Sequence, residues 1–189
     1  MNTQLQEIKE HLTLNSTGEA REAFRKFIPG NDRIYGVRMP VLNTLAAKFR
    51  TGGFPLVKEL WKAGSFEERM IAIKILGKIA KKGPDLSISL VKKFSANITN
   101  WAICDALGMQ ALKPLVETEQ EKIFLLAEKL NSSTDMWQRR LSLVLVEYYT
   151  RKKELHARIK KLIKPIENDE EYYEKKAIVW INRNFHMKK

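Results

Sequence analysis

Trp137-Gln138-Arg139-Arg140-Leu141-Ser142-Leu143 is the stretch that decides the fold, because its pattern of one aromatic, a polar pair and an apolar run stands elsewhere in the chain. Glu68-Arg69-Met70-Ile71-Ala72-Ile73 follows Phe66, and Glu174-Lys175-Lys176-Ala177-Ile178-Val179 follows Tyr173. With Trp101 included, the aromatics Phe66, Trp101, Trp137 and Tyr173 are spaced 35, 36 and 36 residues apart. That period fits a unit of two helices. Such units cannot close a core alone, so they stack, and equivalent positions line up across one curved surface.

Working outward, helical periodicity dominates, and no segment alternates apolar and polar residues long enough for a half-buried strand. In 66–82, Met70, Ile73 and the Ile75-Leu76-Ile79 group fall on one side, and Lys74, Lys78, Lys81 and Lys82 recur on the other. Gly83-Pro84, Asn131 to Thr134, and Pro165 with Asn168-Asp169 interrupt the pattern. Helices are expected near 3–13, 17–28, 40–50, 55–63, 66–82, 85–95, 98–112, 117–130, 135–151, 154–164 and 169–186, with an ordered loop from Pro29 to Met39. Pro40, Pro55 and Ser65 supply start signals. The expected architecture is all-α, a helical-repeat solenoid forming an α-α superhelix, as a single domain over 1–189.

The 189 residues suffice for a core without disulfides or metal. One cysteine, Cys104, cannot pair internally and fits a reducing cytoplasm or nucleoid. Met1 to His11 is polar and carries Glu7 and Glu10, unlike a signal peptide, and no apolar run approaches a membrane span. Neither export nor membrane insertion is expected. Lysine and arginine number 34 against 22 acidic residues, a formal charge of +12, which favours a polyanionic partner. His11, His156 and His186 lack metal-ligand spacing, and no cofactor or nucleotide motif is present.

Positions three, four and seven after each opening aromatic share its helix face, which selects Asp105, Arg140, Lys176 and Trp180. Trp180 sits on a polar stripe between Lys176 and Arg183, opposite Ala177, Ile178 and Ile181. Asp105 lies in an apolar stretch, Ala102 to Leu107, where a carboxylate is costly unless it is paired or faces a cleft. Plainer readings stand beside these. Trp101 and Trp137 fit packing between repeats, Asp105 fits an ion pair with Arg140 of the next repeat, and Arg140 alone fits a solvated charge. The lysine runs, including Arg151-Lys152-Lys153 and Lys160-Lys161-Lys164, fit solvated helix surface. Cys104 reads as a small buried hydrophobe.

Four strings in order, Tyr35-Gly36-Val37-Arg38-Met39-Pro40, Asn100-Trp101-Ala102-Ile103-Cys104-Asp105, Met136-Trp137-Gln138-Arg139-Arg140 and Lys175-Lys176-Ala177-Ile178-Val179-Trp180, resemble the AlkD-type DNA alkylation-repair family. The resemblance spans about Arg21 to Phe185. It implies a HEAT-like superhelix around duplex DNA and a monomeric glycosylase that excises positively charged N3- and N7-alkylated purines, with the base largely stacked rather than rotated into a pocket. It implies Asp105 as the group that stabilises the oxocarbenium-like sugar and orients water, Trp101 and Trp180 against the deoxyribose, and Arg140 on a phosphate. Arg38, Arg139, Lys176 and Arg183 are the further DNA-binding candidates. A leaving base that already carries charge needs no general acid, so so sparse a site is chemically sufficient.

Two departures are visible. Asn100 stands where the family's pattern has a second aromatic, which implies altered lesion recognition. The chain ends at His186-Met187-Lys188-Lys189, where relatives continue with further helices. These departures keep open a non-catalytic protein of the same fold that binds distorted or branched DNA, and more distantly a protein-interaction scaffold.

Overall fold

The computed structural model describes residues 3–28, 30 and 32–186. Pro29 and Asn31 of the expected loop, and Met187-Lys188-Lys189 of the terminal string, lie outside the described residues. Among the described residues there are eleven α-helices and no strand: α1 (Thr3–Leu14), α2 (Gly18–Phe27), α3 (Met39–Lys48), α4 (Gly53–Ala63), α5 (Phe66–Ile79), α6 (Pro84–Ser95), α7 (Trp101–Ala106), α8 (Gln120–Asn131), α9 (Met136–Val146), α10 (His156–Ile163) and α11 (Tyr172–Phe185).

The helices form two layers. Helices α3, α5, α7, α9 and α11 pack side by side in chain order, while α4, α6, α8 and α10 cover them from the other side. One continuous apolar core runs between the layers from Ile8 to Ile181. The repeat register is visible in the helix starts: Phe66 and Trp101 are the first residues of α5 and α7, and Trp137 and Tyr173 are the second residues of α9 and α11. This is an all-α helical-repeat fold.

Helix α5 departs from the simple amphipathic picture. It is buried on nearly all sides, with only Arg69, Lys74, Gly77 and Lys78 reaching the surface. Its start is fixed by a capping box, in which the Ser65 hydroxyl accepts from Glu68 N at 3.1 Å and the Glu68 carboxylate accepts from Ser65 N at 2.8 Å. The neighbouring Glu67 is also fully buried, and there the reason is long-range: its carboxylate accepts from the backbone N–H groups of Tyr35, Gly36 and Val37 at 3.0, 2.7 and 3.1 Å. These bonds hold an irregular segment whose own N–H groups have no ladder to join. Gly36 sits at φ +88°, and a Cβ there would lie 2.5 Å from the Thr17 carbonyl oxygen, so only glycine fits. The Tyr35-Gly36-Val37 string thus ties α2 to α5.

Several helix limits differ from the periodic reading. The 98–112 segment begins its helix only at Trp101, then widens into a π-helical run from Leu107 to Ala111. Helix α9 ends at Val146 and tightens into a 3₁₀ turn over Glu147–Arg151. Helices α8 and α11 start three residues later than their apolar patterns do, at Gln120 and Tyr172. At Gly108 a Cβ would stand 2.6 Å from Val144 Cγ1, so a small residue is what lets the α7 run approach α9 closely.

Candidate functional site

The geometry at the front of the odd-numbered layer starts from a cap. Asn100 is fully buried and its side-chain oxygen accepts from Ile103 N at 3.0 Å, which makes Trp101 the first residue of α7 and sets Asp105 one turn further on. The Asn100 amide donates to Asp32 Oδ2 at 2.6 Å. This position is therefore part of the interior scaffold, and the Asn100 side chain turns inward to Asp32 and does not line the cleft.

On α9 the same device is repeated. The Asp135 carboxylate caps the helix by accepting from Gln138 N at 2.9 Å, and Arg140 follows on the first turn and a half. Its guanidinium meets the Asp105 carboxylate side-on, with Nε to Oδ1 and Nη2 to Oδ2 both at 2.9 Å. Nη1 also donates to the Tyr173 carbonyl oxygen at the start of α11. One arginine thus joins α7, α9 and α11. Only 7% of its side chain is exposed, against 22% for Asp105, so the carboxylate is the partner that reaches solvent. The ion pair that the sequence left as the plainer reading is present, and it lies in the wall of a cleft.

That cleft is an open depression of about 470 Å³, lined by Phe27, Trp101, Asp105, Met109, Arg140, Tyr172, Tyr173, Lys176 and Trp180. The Trp101 indole N–H donates to the Phe27 carbonyl oxygen at 2.9 Å, which fixes the ring's orientation. Tyr173 stacks at a tilt on Trp137, with centroids 5.0 Å apart, and Tyr172 meets Tyr173 edge-on at 5.1 Å. The Lys176 ammonium lies over the Tyr172 ring, 5.3 Å from its centroid. Ala177 and Ile181 are fully buried beneath this face of α11.

Of the residues singled out from sequence, Trp101, Asp105, Arg140, Lys176 and Trp180 come together here. Arg38, Arg139 and Arg183 do not line the cleft. Arg38 is exposed beside Glu19, at 2.9 Å, and Arg183 is exposed on α11. Arg139 faces inward. Its guanidinium holds Glu174 at 2.8 Å, Asp169 at 3.1 Å and the Ser133 carbonyl oxygen at 3.0 Å. Glu174 is fully buried, and burial pushes its carboxyl up to about 7, reinforced by a hydrogen bond with Asp169 and opposed by Arg139. Cys104 is fully buried as well, and burial raises its thiol well above the ordinary range, so it has no nucleophilic character.

Phe27, Met109 and Tyr172 were not read as site residues. Phe27, 72% exposed, arrives from the far end of α2 through the Gly36 and Glu67 ties, and no local pattern marks it. Met109 had a usable signal, since it lies two turns beyond Trp101 on the same helical run. Tyr172 adjoins the repeat aromatic, but which of the two tyrosines carries the register is settled only by packing.

An orienting arginine, a partly exposed carboxylate and five aromatic side chains line an open trough in this helical-repeat protein, a chemistry suited to a cationic or electron-poor group. The sequence matches the family model for DNA alkylation repair enzymes over residues 8–186, and the chain belongs to that family. A search of curated proteins finds no significant match. The family places the chain in DNA repair, with DNA as its substrate. No helix among the described residues is long and apolar enough to cross a membrane.

Proposed function

We propose that this chain is a monomeric cytoplasmic DNA glycosylase, working with the nucleoid, that excises positively charged N3- and N7-alkylated purines from duplex DNA, with Asp105 as its catalytic carboxylate. The observation that carries this reading is the placement of one oriented carboxylate between aromatic faces in an open cleft. An alkylated purine departs with the electrons of its glycosidic bond and becomes neutral, so no proton need be supplied. Positive charge then grows on the sugar. Asp105 stabilises it electrostatically and orients the water that attacks C1′, whose proton is lost to solvent.

Each Asp105 oxygen spends one lone pair on Arg140 and keeps another for the cleft. Arg140 locks the carboxylate's direction, and the two N–H groups left on its guanidinium are available to a flanking phosphate. Trp101 and Trp180 press on the deoxyribose, their electron-rich faces attracting the cationic centre. Lys176, exposed at the cleft wall, meets the backbone of the same strand. Among the remaining cationic candidates, Arg38 and Arg183 fit outer backbone contacts, while the part played by Arg139 is to hold α11.

The test is release of free 7-methylpurine from a methylated duplex, followed by chromatography of the freed base and alkaline cleavage of the abasic strand. Stoichiometric release supports excision. Tight duplex binding without any release selects a non-catalytic protein of the same fold.

A further inference from the structure

Beyond the cleft, the odd-numbered layer carries a second depression of about 410 Å³ between α3, α5 and the run that continues α7, lined by Asn43, Lys74, Gly77, Lys78, Gln110 and Lys113. Lys74 and Lys78 are one turn apart on a helix that is otherwise almost wholly buried, so this is the one place where α5 opens to solvent with side chains that bear charge beyond Arg69. The Lys74 ammonium touches the neutral Gln110 side-chain oxygen at 3.2 Å. Among the described residues no carboxylate lies within salt-bridge distance of Lys74, Lys78 or Lys113. Elsewhere in the chain Lys152 and Lys175 each hold one and Lys122 holds two.

A half-buried ammonium beside a second cation, with no counter-charge, is electrostatically costly. Burial and Lys78 together push the Lys74 ammonium below its ordinary range. An anion seated here relieves both terms. We infer that Lys74, Lys78 and Lys113 form a second anchoring site for the phosphodiester backbone of the duplex whose lesion occupies the Asp105 cleft. This deepens the excision reading and rests on it for the position of the duplex.

Continuity carries the choice of ligand. Trp101, Asp105, Met109 and Gln110 follow one another along α7 and its π-helical continuation, and Lys113 opens the short 3₁₀ turn just beyond it, so cleft and depression open on the same layer. Met109 lines the cleft and its neighbour Gln110 lines the depression, so the two openings are adjacent along this segment. A strand with its sugar in the cleft therefore brings its own phosphates over the lysines. Ammonium groups on flexible stems act as point charges that read backbone and carry no base preference, as required for a lesion found in any sequence.

The experiment is fluorescence anisotropy of a labelled, undamaged duplex titrated with the full chain between about 50 and 200 mM salt. The Lys78→Ala/Lys113→Ala variant is expected to bind about tenfold more weakly at 0.1 M salt, with a log–log salt slope shallower by about 0.9 per lost contact. Lys74→Arg, which keeps the charge, is expected to keep the slope. Lys161→Ala/Lys164→Ala, which removes the same charge from the opposite layer, serves as the comparison. Wild-type affinity and slope in the Lys78/Lys113 variant overturn the site, and so does an equal loss in the Lys161/Lys164 variant. Because undamaged duplex is the probe, a wild type that binds it but releases no methylated base refutes excision while leaving the anchor standing.

Discussion

At the scale of single residues, Arg139 and Arg140 show how two identical neighbours acquire opposite duties. A helix turns about 100° per residue, so Arg140 reaches the cleft and Asp105 while Arg139 is carried behind it to Glu174 and Asp169. Two carboxyl groups share that one guanidinium, and Glu174 holds its proton up to about 7. The folded form thus binds the proton more tightly than the unfolded chain. The stabilisation is complete below the ordinary value of 4.5 and is lost as pH rises through about 7. The melting temperature is therefore expected to fall from about pH 5 to about pH 8, and Glu174→Gln, which keeps the shape and cannot ionise, is expected to remove that part of the fall. Superimposable profiles for the variant and the wild type contradict it. Asp105 was legible in the sequence because an isolated carboxylate in an apolar helix needs a reason. Arg139 was not, since only the position of α11 decides which of two adjacent arginines faces inward.

At the scale of elements, the helices follow from hydrophobic period and caps, but their limits follow from partners distant in sequence. Asn100 begins α7 because its amide bridges the helix N-terminus and Asp32, a partner 68 residues away that no local pattern announces. Replacing it in Asn100→Ala removes the cap and one of the bonds to Asp32, which keeps Thr99 and Arg69, with an expected loss of about 1–2 kcal/mol in denaturant unfolding. A loss below the error of that measurement contradicts the scaffold role. Gly108→Ala forces a Cβ against Val144 and is expected to cost about 1–3 kcal/mol by the same measurement, because Val144 Cβ, 2.9 Å away, has no rotamer that removes it. Unchanged stability there contradicts the close approach of α7 and α9. The closeness of that approach and the π-helical widening at Leu107–Ala111 have no signature in a period count.

For the whole molecule, the recurrence of Phe66, Trp101, Trp137 and Tyr173 gives the stacking order of α5, α7, α9 and α11, and stacking brings groups tens of residues apart into one trough. The layer order was legible because a fixed period allows little else. Phe27 was not, as it arrives through the irregular link between α2 and α3. The +12 formal charge names an anion, but structure divides its carriers into inward anchors such as Arg139 and lysines that open beside the cleft. The proposed excision depends on Asp105 as the group that acts on the sugar, held by Arg140 in the cleft lined by Trp101 and Trp180. Single-turnover release of 7-methylpurine from a methylated duplex, measured for wild type and Asp105→Asn alongside their affinities for the same duplex, tests this directly. The prediction is a fall in release of about a hundredfold or more, the scale of losing one electrostatic stabiliser, with duplex affinity retained. Release by Asp105→Asn at the wild-type rate contradicts it.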